Sequence, residues 1–241
     1  MLEKIEKFQI LLVGIIIVLG GIIATGMVTS RISKDVISVT GSYSQDVTSD
    51  KGKLEFTINA KEINRAKAYT KISQQIPTVK KYLLEQGFKQ EDIDIEPVSG
   101  YEMYRVTPNG STTNQVEAYN SSQRIVVKSD DVDKIKEIST DITSLADKGV
   151  EISNTYTSYY YSKLSDLKVQ MLEKASLNAK QRAKAMLKAT HNKVGKIQSV
   201  QMGVFQITPA DSTEVSDYGI SDTSSIKKKV TSVTNVTFRV K

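Results

Sequence analysis

Residues 8–28 read FQILLVGIIIVLGGIIATGMV, 21 in a row with no charge and only Gln9 and Thr25 as clearly polar side chains. As a helix rising 1.5 Å per residue, such a run spans about 30 Å, the thickness of a bilayer's hydrocarbon core. It is longer than the apolar region of a cleaved signal peptide, and Ala24-Thr25-Gly26, which could serve as a cleavage site, lies inside it. The run therefore predicts an uncleaved, single-pass signal anchor built on Phe8, Leu11, Leu12, Ile15, Ile16, Ile17, Leu19, Ile22, Ile23 and Val28. Lys4 and Lys7 before it nearly balance Arg31 and Lys34 after it, so flanking charge does not orient it. A short leading flank before a large body argues for residues 1–7 in the cytosol, a linker over 29–34, and a body over 35–241 outside the cytoplasmic membrane. Gly20 and Ala24 have the spacing that lets membrane helices approach closely, but glycine is common in such helices anyway.

Composition narrows the body. At 39% apolar and 25% charged the whole chain has the composition of ordinary globular protein. There is no cysteine, which excludes disulfides, zinc–thiolate sites and thiol nucleophiles. A protein outside the cytoplasm without disulfides must be held by its core or by partners. The net charge of +6 reads as modest and dispersed. Lys227-Lys228-Lys229, the one basic run of three, reads as a solvated strand start rather than a nucleic-acid patch.

Periodicity predicts the elements. Residues 36–43 alternate and are β-branched, hence a strand. Lys53 to Ala60 puts Leu54, Phe56, Ile58 and Ala60 on one face, after a turn at Asp50-Lys51-Gly52. A helix over 64–86 places Ala68, Ile72, Ile76, Val79 and Leu83 together, with a kink expected at Pro77 and a stop at Gly87. Strands over 93–106 and 115–128 pair across residues 107–114. Ser129-Asp130-Asp131 caps a helix over 132–146, with Val132, Ile135, Ile138, Ile142 and Leu145 inward. A strand over 150–161, a long helix over 164–190, a strand over 194–207, a polar loop over 208–226 and a last strand over 230–240, bulged near Ser232, complete the chain. The long helix is expected to bury Leu164, Leu167, Met171, Ala175, Ala179 and Met186. The order ββαββαβαββ is an α+β class, mostly antiparallel sheets backed by long helices, divisible into segments of about 35–114 and 115–241.

Four stretches together resemble one family. Ile37 to Val47 (ISVTGSYSQDV) is similar to an opening strand written ITVTGxGxxxV. Leu83 to Tyr104, Val116 to Ile138 and the alanine-repeating Ala175 to Val200 resemble three further segments, in order. The family is the SIMPL domain family, which includes periplasmic immunogenic proteins of Gram-negative bacteria, and the likeness covers about residues 35–241. The departures are Thr190-His191-Asn192, where the family commonly has a glycine, and the membrane anchor in place of a plain signal peptide. The resemblance implies a bacterial, extracytoplasmic, non-enzymatic protein of no agreed biochemical activity. At least one member resembles a hollow, ring-like homo-oligomer.

The residues suggest little chemistry. His191 is the only histidine and falls at a helix end, where a cation suits the helix dipole. Asp92, Asp94 and Glu96 share a strand face but lack the glycine and spacing of a calcium loop. Asp130, Asp131 and Asp133 suit a helix N-terminus. No phosphate-cradling glycine motif occurs. The reading is accordingly no enzyme, no cofactor, no metal and no nucleic acid.

Tyrosines stand out instead. Tyr156, Tyr159, Tyr160 and Tyr161 crowd one strand, and Tyr101 and Tyr104 lie on another. Strand neighbours face opposite ways, so not all of them can be inside. They are candidates for core packing or for a subunit interface. The expectation is a membrane-anchored structural or assembly protein of the cell envelope, with the lipid bilayer and further copies of itself as partners. The alternative is a monomeric binding module or accessory subunit presenting its sheet or the 208–226 loop to another envelope protein or a glycan.

Overall fold

A computed structural model describes residues 35–241, together with Val18. Apart from Val18, the anchor expected over residues 8–28 lies outside the described residues. Among the described residues no helix is long and apolar enough to cross a membrane. The body is α+β: ten strands, three α-helices and two short 3-10 turns. It divides into two compact units. The first holds residues 35–43, Val169–Val204 and Ser232–Lys241; the second holds Ser44–Lys168 and Phe205–Thr231.

The second unit is built on a five-stranded sheet. β2 (Lys51–Glu62) pairs antiparallel with β5 (Thr112–Ser129) on one side and β6 (Glu151–Tyr160) on the other. β3 (Ile93–Ile95) and β4 (Ser99–Val106) both pair with β5. The alternation expected of β2 is realised: Leu54, Phe56, Ile58 and Ala60 are fully buried. Helices α1 (Arg65–Glu85) and α2 (Val132–Asp141) cover that face with Ile72, Val79, Leu83, Ile135 and Ile138. The apolar residues expected to face inward over 132–146 all do, although the α-helix ends at Asp141 and Ile142–Lys148 tightens to a 3-10 turn.

Helix ends follow local chemistry. Asn64 caps α1 by accepting the amides of Ala66 and Lys67, and Asp131 caps α2 by accepting the amide of Lys134. Gly87, at φ 77°, closes α1: its N–H donates to the Leu84 carbonyl and that of Phe88 to the Leu83 carbonyl, a Schellman ending. The helix continues through Pro77. Tyr82 donates to the Asp141 carboxylate at 2.7 Å; burial, then that carboxylate, push its phenol up to about 12.

Several boundaries differ from the sequence reading. The β1–β2 turn is at Ser49-Asp50, with Lys51 and Gly52 already in the ladder opposite Tyr160 and Tyr159. The single strand expected over 93–106 is two, because Pro97 cannot donate to a ladder. The strand expected over 194–207 is also two, β7 (Val194–Met202) and β8 (Gln206–Pro209), and a short β9 (Ile220–Ser221) pairs parallel to β8 inside the expected loop. A cut near residue 114 would separate β4 from β5, which form one hairpin in the second unit.

The first unit rests on an alanine-lined helix. α3 (Leu164–Lys188) buries Met171, Ala175, Ala179 and Ala183 at strict four-residue spacing, the last two packed with Val39, Val236 and Phe238. Met186, expected to be buried, is 58% exposed; its position falls off that four-residue line. The close approach of helix and strand explains Gly41 in β1 (Val36–Thr48). A Cβ there would lie 2.1 Å from the Ala175 carbonyl oxygen and 2.7 Å from the Ala179 Cβ. In this unit the end of β10 (Lys227–Val240) pairs antiparallel with β7, and the register slips around Phe238 rather than near Ser232. β1 lies beside β10, with the Ser38 and Thr237 hydroxyls 2.9 Å apart and the Val240 amide donating to the Asp35 carbonyl.

Candidate functional site on the tyrosine-bearing sheet

The register of the second unit's sheet sorts the six candidate tyrosines. On β6, Tyr159 stands opposite Gly52, on the helix-covered face, and is 5% exposed within the core. Tyr156 stands opposite Glu55 and Tyr160 opposite Lys51, on the other face, at 63% and 42% exposure. A bulge at Asn154, which adopts φ 51°, sets this phase. On β4, Tyr101 faces Asn120 and accepts a hydrogen bond from its Nδ2 at 3.0 Å; Tyr104 stands opposite Val116 and donates to Glu102 at 2.8 Å. Both are exposed.

The exposed tyrosines therefore occupy both edges of one sheet. β4 pairs on one side only, with β5, and β6 ladders only with β2, its outer side being met at one point, where the Tyr159 amide donates to the Thr223 carbonyl. The β4–β5 hairpin also extends past the rest of the sheet, since β2 pairs with β5 no further than Tyr119. Its outer part is a two-stranded ribbon carrying exposed Tyr104, Val106 and Val116. An isolated two-stranded ribbon is marginally stable in water, and exposed edges invite strand pairing. Between the edges lie charged groups: Glu55 bonds both Lys53 and Arg124, and Arg124 also reaches Glu96 at 3.7 Å. The Lys53 hydrogen bond, with Arg124 adding to it, outweighs burial and holds the Glu55 carboxyl below its usual range.

Tyr161 is half-buried and lines a cavity of about 100 Å3 with Tyr159, Tyr160, Leu164, Ile207 and Val230. Its polar wall is a pair that the sequence reading missed. Lys228, expected to be solvated within the lysine run, is 2% exposed; its Nζ donates to the Asp222 carbonyl at 2.8 Å and carboxylate at 3.2 Å. Burial opposes the Asp222 charge, but hydrogen bonds from Ser224, Ser225 and Lys228 prevail and bring its pKa to about 2. The signal was the alternation Lys228, Val230, Ser232 on the buried face of β10. With its partner already inside, Lys228 works as a clasp on the segment before β10.

The acidic candidates are kept apart. Asp92 accepts from the Lys89 amide, Glu96 pairs with Arg124, and Asp130 pairs with Lys51. Among the described residues no group of three or more His, Cys, Asp or Glu is placed to hold a metal. His191 is exposed at the end of α3 with φ 58°, in the left-handed position that closes the helix: its N–H donates to Lys188 and that of Asn192 to Leu187. A histidine thus holds a backbone conformation that favours glycine.

The charge of the body is less dispersed than the sequence suggests. The first unit carries nine lysines and arginines against only Asp35 and Glu173, a formal +7, while the second carries twenty against twenty-three acids. Lys180, Lys184, Lys188, His191 and Lys193 line an open groove of about 540 Å3 on the first unit.

Among curated proteins none matches the chain. A family model does: SIMPL, described as "Protein of unknown function (DUF541)", matches residues 37–238. The match runs from β1, with the Gly41 that α3 presses upon, through the alanine helix to the end of β10, and the chain belongs to the SIMPL family.

Proposed function

We propose that this SIMPL protein is an assembly protein of the cell envelope. It is tethered to the cytoplasmic membrane by residues 8–28, holds its body on the extracytoplasmic side, and self-associates without catalysing a reaction. The observation that carries the reading is the pair of tyrosine-bearing edges on one sheet, β4 with Tyr101 and Tyr104, and β6 with Tyr156 and Tyr160. Two different edges can meet head to tail, and such contacts close into rings where the rotation allows. A membrane tether would raise the effective concentration of copies and favour weak contacts. Light scattering on the detergent-solubilised full chain tests it. The expected mass is a multiple of the protomer; a monomer at high concentration would overturn assembly. Retention of full-length protein in the membrane after carbonate extraction is expected, and release of a shortened soluble species would overturn the anchor.

One feature favours a second reading, an accessory module binding another envelope protein or a glycan. Between β8 and β9, Val215 and Tyr218 are 81% and 97% exposed. That reading predicts a monomer whose partner binding is lost on shortening residues 210–219.

A further inference from the structure

The first unit's basic groove lies at the end of that unit where the chain arrives from the apolar run. Asp35, the first residue of the continuous described body, accepts the Val240 amide on its carbonyl. Val240 is opposite Val194 on β7, and Lys193 and Lys241 exchange backbone hydrogen bonds at 2.7 and 2.8 Å. Lys188, His191 and Lys193 thus gather where the body begins, with Lys180 and Lys184 continuing the stripe along α3. All five are exposed, and among the described residues no ion pair engages any of the first unit's cations. Only residues 29–34 separate Val28 from Asp35, a reach of about 25 Å even fully extended.

We propose that this groove docks on an anionic phospholipid surface, turning a single tether into a two-point attachment. The proposal rests on the reading of residues 8–28 as an anchor. Given the anchor, the short linker holds the first unit close to headgroups, within the range where a cluster of lysines is attracted to negative lipid. The acidic second unit has the wrong sign for that surface. The groove's apolar wall, Val194 and the lysine stems, suits an interface where ammonium groups meet phosphates while their methylenes stay covered.

The test uses the full chain reconstituted in vesicles of phosphatidylcholine alone or with phosphatidylglycerol. Lysine acylation is read residue by residue by mass spectrometry. Acylation of Lys184, Lys188 and Lys193 is expected to slow several-fold in the anionic vesicles and recover in high salt, while the exposed Lys81 and Lys89 of the second unit stay unchanged. The charge reversals K184E and K188E together should abolish the slowing at Lys193 without altering circular dichroism. Equal acylation in both vesicles would overturn the proposal. So would equal protection in neutral vesicles by added soluble polyphosphate, which would assign the groove to free polyanions. Flotation with neutral vesicles in high salt reports the anchor separately, so loss of the tether and loss of docking are distinguishable.

Discussion

Lys228 and Asp222 form an ion pair whose side chains are only 3% and 8% exposed, 3.2 Å apart. A charge this well buried is costly to strand. Lys228→Met should therefore destabilise the protein by about 3 kcal/mol, since it leaves Asp222 without its cation. Lys228→Met with Asp222→Leu should recover part of that loss in urea unfolding. An unchanged midpoint in the single variant would show that the pair is not a clasp.

The same pair gives a pH signature. Asp222 titrates at about 2 when folded, against about 3.9 for an unfolded aspartate. A depressed carboxylate stabilises the fold above the unfolded pKa and loses that contribution as pH falls through the folded one. About 2 kcal/mol should thus be present at neutral pH and vanish between about pH 4 and pH 2. Asp222→Asn should flatten that limb of the stability profile, measured by urea titration at stepped pH.

Gly41→Ala should be far more damaging than an ordinary strand substitution. Its single added carbon lands 2.1 Å from the Ala175 carbonyl oxygen, so backbone must move. A loss of more than about 2 kcal/mol is expected, in the upper range for overpacking. Thermal unfolding within a degree of wild type would contradict the close packing of β1 on α3.

His191→Gly should stabilise. A residue with a Cβ in the left-handed region costs about 1–2 kcal/mol, and glycine does not. A rise in the unfolding midpoint is expected, and His191→Val should lower it.

The tyrosines separate core from contact. Tyr156→Ser with Tyr160→Ser, both on the open face, should yield folded monomers with unchanged circular dichroism if the edge supports assembly. Tyr159→Ser should instead cost about 3 kcal/mol or more as a core truncation. Oligomers that persist in the double variant would move the interface away from β6.

Patterns that repeat over many residues were legible in the sequence. Leu54-Phe56-Ile58-Ala60, the inward line of α2 and the stop at Gly87 are local alternations, so residues 51–95 and 132–150 read nearly as they fold. What was not legible depends on distant partners. Lys228 looks solvated among lysines, and only the Asp222 carboxylate, brought in by the preceding turn, makes its burial tolerable. Met186 looks apolar enough to be inside, but the helix presents the line of Met171, Ala175, Ala179 and Ala183 instead. The basic groove draws on α3 and the start of β7, and a whole-chain net charge averages it away. For the tyrosines, alternation said that some must be outside; choosing which required the bulge.

That bulge acts like an inserted letter in a reading frame. Up to Ser153, opposite Thr57, β6 is in one phase; from Tyr156, opposite Glu55, it is in the other. Keep Asn154 but straighten it into an unbroken ladder, and Tyr156 falls opposite Leu54, facing the helices, while Tyr159 turns out to solvent. One left-handed asparagine therefore decides which rings the molecule keeps for itself and which it offers to its surroundings: the strand's alternation alone would assign them the other way round, and the extra residue reverses the assignment without altering a tyrosine.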